Sequence, residues 1–240
     1  MTSSKTLKAI ALGAAVSAAL SSGVASAEVT ANAGIFSNYI WRGITQTNDS
    51  AAGQGGIDWS GGPGFYAGTW VSNVKFPSHD TAANVVEFGG GYEMDVYGGF
   101  AGEAGSFSYD LGVITYQYPV TPNTNFTEVY ATGSIVGLTA GIWYTVDKAS
   151  GITDPGGKDD DIYLYGAYDF SHKDIDYSLY LGNYSFDANS KADYTHYGAS
   201  IGKDGFSFAV DKNDSDPLEW GGVSSDNVRF TVGYTVDFEL

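Results

Sequence analysis

From Asp226 to the last residue the chain alternates. Val228, Phe230, Val232, Tyr234, Val236, Phe238 and Leu240 form one apolar row, and Asn227, Arg229, Thr231, Gly233, Thr235, Asp237 and Glu239 form the other. Successive side chains of a β-strand point to opposite faces, so this pattern predicts a strand with one apolar and one polar face. The same period recurs upstream, as in Phe107, Tyr109, Leu111 and Val113, and in Leu138, Ala140, Ile142, Tyr144 and Val146. Read with the turn signals, it predicts strands at about 29–43, 55–61, 64–73, 84–100, 106–117, 126–133, 138–147, 161–170, 175–184, 193–202, 206–211 and 226–240. In the first of these Ala31, Ala33, Ile35, Tyr39 and Trp41 are in phase.

The connections between these segments alternate in length. Short turns, such as Gly61–Gly64, Gly102–Gly105, Ser171–Asp174 and Lys203–Gly205, follow every second strand, and longer polar loops, one of them around Pro77–Asp80, follow the others. Short turns at one end and long loops at the other are the asymmetry of a membrane barrel. The expectation is an all-β protein, a transmembrane antiparallel up-and-down β-barrel of about twelve strands. Boundaries read this way leave ten and fourteen strands as alternatives, and an exported β-sandwich or jelly roll shows similar strand patterning.

The N-terminus supports the same compartment. Lys5 and Lys8 precede the short apolar run Ala9–Leu20, and Ala25-Ser26-Ala27 has the A-x-A form of a cleavage site. Residues 1–27 are therefore expected to be a signal peptide, and 28–240 one outer-membrane barrel domain. No segment is long and apolar enough for a transmembrane helix, so a crossing has to use strands closed into a barrel. A C-terminal strand ending on in-phase hydrophobes looks like the signal read by the barrel assembly machinery. The partners expected are that machinery, outer-membrane lipid, small polar solutes and, for a trimer, further copies of the chain.

Composition narrows this reading. Thirty-three glycines and 18 tyrosines do not suit a helical domain; they suit bent strands and aromatic girdles. There is no cysteine, so disulfides do not staple the fold. Losing Lys5 and Lys8 moves the formal charge from −17 to −19, which argues against nucleic acid as a partner.

Several blocks carry a family likeness. Ser37-Asn38-Tyr39-Ile40-Trp41-Arg42-Gly43 has the form S-x-Y-x-W-R-G. It is followed by Gln54–Asp58, by Gly64–Val74 with its G-T-W-V-S-N-V core, by Glu87-Phe88, by Asp95–Phe100 and by Tyr109–Val113 leading to Tyr116–Pro119. This series resembles the TorF-type porin family of proteobacteria, long catalogued as conserved proteins of unknown function. The resemblance implies a pore-forming barrel of the bacterial outer membrane and brings no catalytic residues with it.

On the barrel expectation, charges avoid lipid. Arg42, Asp58, Glu87, Asp110, Arg229 and Asp237 are then the pore-lining candidates, with an acidic excess favouring cations. Arg42 is singled out, because an arginine fork can hold a carboxylate, from Glu87 or Asp58, or an anionic solute. The alternative is that such charges pair and fill the lumen. Eight strands make a filled barrel and 16–18 an open one; twelve lie between. Trp41, Trp59, Trp70, Trp143 and Tyr116 are expected as interfacial anchors. The acidic loop at about 148–160 and the run Asp211–Asp216 read as solvated loops, since neither has the spacing of a calcium site.

His79, His172 and His196 form no constellation with a nucleophile, although Ser200 follows His196 by four positions. No catalytic residue, cofactor or metal is expected. The function expected is a passive outer-membrane channel for small polar solutes, cation-preferring. The alternatives are a closed barrel acting through its external loops and, behind it, an outer-membrane hydrolase.

Overall fold

The computed structural model describes residues 27–80, 85–121, 124–149, 160–187, 192–215 and 226–240. The expected signal peptide, up to residue 26, lies outside the described residues. Twelve strands close into one antiparallel barrel. They are β1 (Glu28–Phe36), β4 (Ala52–Gly61), β5 (Phe65–Asp80), β6 (Val85–Ala104), β7 (Phe107–Gln117), β8 (Phe126–Ile135), β9 (Leu138–Lys148), β10 (Ile162–His172), β11 (Ile175–Ser185), β12 (Tyr194–Lys203), β13 (Phe206–Asn213) and β14 (Arg229–Glu239). Two further short strands, β2 (Ile40–Trp41) and β3 (Ile44–Thr45), form a separate hairpin.

Neighbours in sequence pair throughout. β14 closes on β1 in the register Ala31↔Phe238 and Ile35↔Tyr234. Closure leaves no sheet edge, which is the only way strands can cross lipid with every backbone group paired. Residues 62–64, 105–106, 136–137, 173–174 and 204–205 make the turns at one end. Positive φ at Val136 and Gly137, at Lys173 and Asp174, and at Asp204 and Gly205 is the backbone of tight primed hairpin turns, whose twist matches the strands they join.

The outer surface is apolar. Ile35, Ile57, Val96, Leu111, Val129, Ile142, Leu164, Leu179, Ile201 and Val232 all project outward and exposed. Contiguous apolar surface of this extent belongs in lipid, not water. An aromatic belt runs round the barrel near the short turns. Phe65 meets Phe100 at 5.1 Å, Phe170 meets Tyr177 at 4.9 Å and Phe206 meets Tyr234 at 4.6 Å, with Trp59 beside them near the first of the turns.

The glycine and tyrosine content has a packing explanation on the inner face. Tyr66 is paired across the sheet with Gly99, Tyr97 with Gly68, Tyr130 with Gly112 and Tyr180 with Gly198. A Cβ at any of these four glycines would come within 2.6 Å of the partner ring. Each ring occupies the space over a glycine of a neighbouring strand, on the inner face of the barrel.

The expected boundaries fail most at two places. The first strand stops at Phe36, not near 43, because the chain leaves the wall there. Pro77–Asp80 continue β5 and pair with β6 as far as Asp80↔Val85, so the loop expected around them is strand.

Candidate functional site

Residues 37–50 fold into the barrel instead of out of it. At their tip Arg42 and Gly43 have φ of 48° and 80°, so the hairpin β2–β3 reverses in a two-residue turn with both residues left-handed. Glycine suits the second position, and also the space. A Cβ on Gly43 would lie 2.4 Å from the Cβ of His196. The base of the hairpin is tied by side chains: Thr45 Oγ1 donates to the Asn38 carboxamide oxygen (2.7 Å), and Asn38 Nδ2 donates to Asp49 (2.7 Å). Polar residues near a turn compete well for backbone and for one another, and here they hold the loop compact.

The hairpin is fastened to the wall at four kinds of contact. Arg42 donates through Nη1 to Glu128 Oε1 (2.8 Å) and through Nη2 to Glu128 Oε2 (2.6 Å), a bidentate fork. In the opposite sense Arg229 of β14 donates through Nε to Asp49 Oδ1 of the loop (2.7 Å). Tyr39 Oη donates to Glu93 Oε1 (3.0 Å). Backbone polar groups are also used: Asn213 Nδ2 donates to the Gly43 carbonyl (2.7 Å) and the Lys75 amide to the Gln46 carbonyl (2.8 Å).

Arg42 is enclosed by rings. Its guanidinium carbon lies 4.1 Å from the centroid of Tyr163, 4.3 Å from Trp41, 4.9 Å from Tyr184 and 5.8 Å from Trp143. Burial works against the charge, but the Glu128 carboxylate overrides it, and the guanidinium is held protonated well above its ordinary range. Glu128 is placed by an irregularity in the sheet. The register between β8 and β9 shifts at Thr127/Glu128, leaving Val146 without a partner. Such a bulge re-aims the side chains beside it.

The rest of the lumen is acid-rich. Glu93 and Asp95 project from the same face of β6, and Glu93 Oε2 and both Asp95 carboxylate oxygens have no hydrogen-bond partner among the described residues. Tyr97 donates to Asp58, Tyr66 to Asp110 (2.6 Å) and Tyr180 to Asp211 (2.7 Å). His196 is bonded through Nε2 to Tyr163 Oη (2.8 Å), with the two rings stacked, and not to Ser200.

Residues 20–237 match a family described as bacterial protein of unknown function (Gcw_chp). The chain belongs to the Gcw_chp family. That match names no TorF protein. No curated protein sequence matches this Gcw_chp chain. Among solved structures, a chain from work on the in-meso crystallization of membrane proteins aligns at TM-score 0.51 and 8% identity, over 89% of this chain and 84% of the other. At that identity the likeness is one of fold. The KdgM porin aligns at TM-score 0.49 and 10% identity (89% of this chain, 99% of that), and the NanC porin at 0.49 and 14% (88% and 100%).

The pore-lining candidates of this Gcw_chp protein fall as follows. Arg42, Asp58, Asp110 and Arg229 are inside the barrel. Arg42 sits on the loop and not on the wall, and its partner is Glu128 rather than Asp58 or Glu87. The backbone of Glu87 pairs with Ser78, and its side chain lies outside what is described. Asp237 shares the inward row of β14 but is exposed at the strand's end. Of the expected interfacial aromatics only Trp59 faces outward. Trp41 travels inward with the hairpin. Trp70 packs on Tyr39 at 5.4 Å, and Trp143 stacks on Tyr130 at 5.8 Å. Tyr116 is buried against Trp41 and Phe126. The other large aromatics exposed on the outer face are phenylalanines and tyrosines, such as Phe65, Phe206 and Tyr168. Asp211 lines the lumen and is not in a solvated loop; residues 150–159 of the acidic loop, and Asp216, lie outside the described residues.

Glu128, Glu93 and Asp95 were legible: each is an acid inside a predicted strand, and the rule that sent Asp58 and Asp110 inward applies equally to them. Asp49, and the gathering of the rings round Arg42, had no such signal.

Proposed function

We propose that this protein is a bacterial outer-membrane barrel that passes small polar solutes, cations in preference, through a lumen constricted by the 37–50 hairpin. The observation that carries this reading is the mode of attachment. The hairpin is held by ion pairs, hydrogen bonds and the rings around Arg42, non-covalent contacts that can break and re-form, inside an interior lined with carboxylates. Asp58, Glu93, Asp95, Asp110, Glu128 and Asp211 outnumber Arg42 and Arg229 there, which favours cation entry. On the same reading residues 1–27 are a cleaved leader, and β14, the strand that closes on β1, is the segment the assembly machinery reads.

A second reading, a closed barrel working through its external loops, is favoured by one observation: Tyr39, Arg42 and Thr47 are almost wholly buried at 1%, 8% and 0% exposure. Single-channel recording of the refolded barrel in a planar bilayer under a potassium chloride gradient separates the two. The channel reading expects small discrete steps with a cation-selective reversal potential, and larger steps when 38–48 is replaced by a short glycine linker. Silence from both proteins, each shown folded by heat-shifted gel mobility, would establish the closed barrel instead.

A further inference from the structure

Four parts of the Arg42 enclosure belong to the wall and not to the hairpin. Glu128 comes from β8, Trp143 from β9, Tyr163 from β10 and Tyr184 from β11, four consecutive strands. Only Trp41 arrives with the loop. The wall-borne rings are held by contacts that do not involve Arg42. Trp143 stacks on Tyr130, Tyr163 is bonded to His196, and Tyr184 packs on Phe186 at 4.3 Å. None of these contacts depends on the hairpin; with Arg42 in place the Glu128 carboxylate is 0% exposed, and displacing the hairpin would leave it without its cation.

We propose that this wall is a binding site for guanidinium-bearing solutes, and that Arg42 is its tethered internal ligand. The chemistry selects a planar fork. Both Glu128 oxygens are used at once, by two different nitrogens, and aromatic faces lie about the guanidinium carbon at 4.1 and 4.9 Å from the wall side. A guanidinium is weakly hydrated, stacks on rings and donates two parallel bonds; an ammonium or a sodium ion loses a tighter water shell and offers neither. A solute of this class competes with Arg42 for the cage, and its binding releases the tip of the hairpin. The route by which it reaches the cage rests on the channel reading; the site itself does not.

The test is made on the full chain, expressed for export and purified in detergent, with Arg42→Ala to remove the tethered ligand. Trp41 and Trp143 report on the cage by fluorescence. Titration with guanidinium chloride should give a saturable change with a half-point on the order of 1–10 mM, the strength a ligand of so few atoms can reach. Sodium chloride and ammonium chloride at matched ionic strength should give none. The unaltered protein should need at least roughly tenfold more guanidinium, because its own arginine competes at high effective concentration. Arg42→Ala combined with Glu128→Gln should lose the response. If Arg42→Ala does not fold, Arg42→Lys, which keeps a charge beside Glu128, is titrated in its place; a saturable response is expected with a half-point below that of the unaltered protein, because a single ammonium competes for the fork less well than a guanidinium. No saturable change in the variant that folds, or an equal change with sodium or after Glu128→Gln, overturns the proposal. Binding is read without any current, so a silent bilayer leaves this result intact, and a failed titration leaves the channel reading intact.

Discussion

Arg42 and Glu128 are 86 positions apart in the chain and meet inside the barrel through two parallel hydrogen bonds of 2.8 and 2.6 Å. One residue stands at the tip of a loop and the other on the opposite wall, so this pair holds the loop in the lumen. Both side chains are buried, at 6% and 0% exposure. Breaking such a pair from one side strands a charge; removing both partners does not.

Glu128→Ala should therefore destabilise the barrel by about 3–5 kcal/mol, and the double replacement Arg42→Met with Glu128→Leu should recover most of that loss. Equilibrium unfolding in urea from lipid vesicles measures both. A loss under about 1 kcal/mol for the single change would mean that the fork does not anchor the loop.

The second anchor is weaker in kind. Arg229 is buried but Asp49 is 53% exposed, so water and salt screen it. Asp49→Asn should cost about 1 kcal/mol or less, and its effect should shrink as salt rises, whereas that of Glu128→Ala should hardly change. Melting curves at low and high salt compare the two.

Gly43→Ala faces two obstacles, a φ of 80° and a contact of 2.4 Å with His196 Cβ. The expected loss is about 1–3 kcal/mol. His196→Ala should not rescue it, because alanine keeps the Cβ that clashes. Thermal shift of heat-modified gel mobility in the single and double variants reads the difference.

Val113 stands midway along β7 with 45% exposure on the outer face. Val113→Arg should cost about 2–4 kcal/mol in a bilayer if that face meets the lipid core. The loss should be much smaller in a detergent that wets the barrel surface. Folding yields measured in both media decide it; equal yields would place the surface in water.

Much of this architecture was legible along the chain. Strict alternation in β7, β9 and β14 gave two faces to each strand, and turn residues such as Lys203-Asp204-Gly205 marked the reversals. The same alternation already set Trp143 opposite Ile142, and Tyr116 opposite Leu111 and Val113. Reading those rings as interfacial anchors overlooked the row they occupy. Acids in strands pointed inward for the same reason, since a period of two leaves no third direction.

What the sequence by itself determined is the wall: about twelve two-faced strands, their order, and the apolar row that each turns outward. Those features depend on neighbours one or two positions away, and local pattern records them. The tertiary structure alone decided that 37–50 turns into the lumen, that Arg42 finds Glu128 and not Asp58, and that three rings from three strands close round it. Each of these depends on groups brought together across the barrel, at separations where the chain carries no periodic signal. Pairing there is settled by charge, ring faces and the space left over glycines.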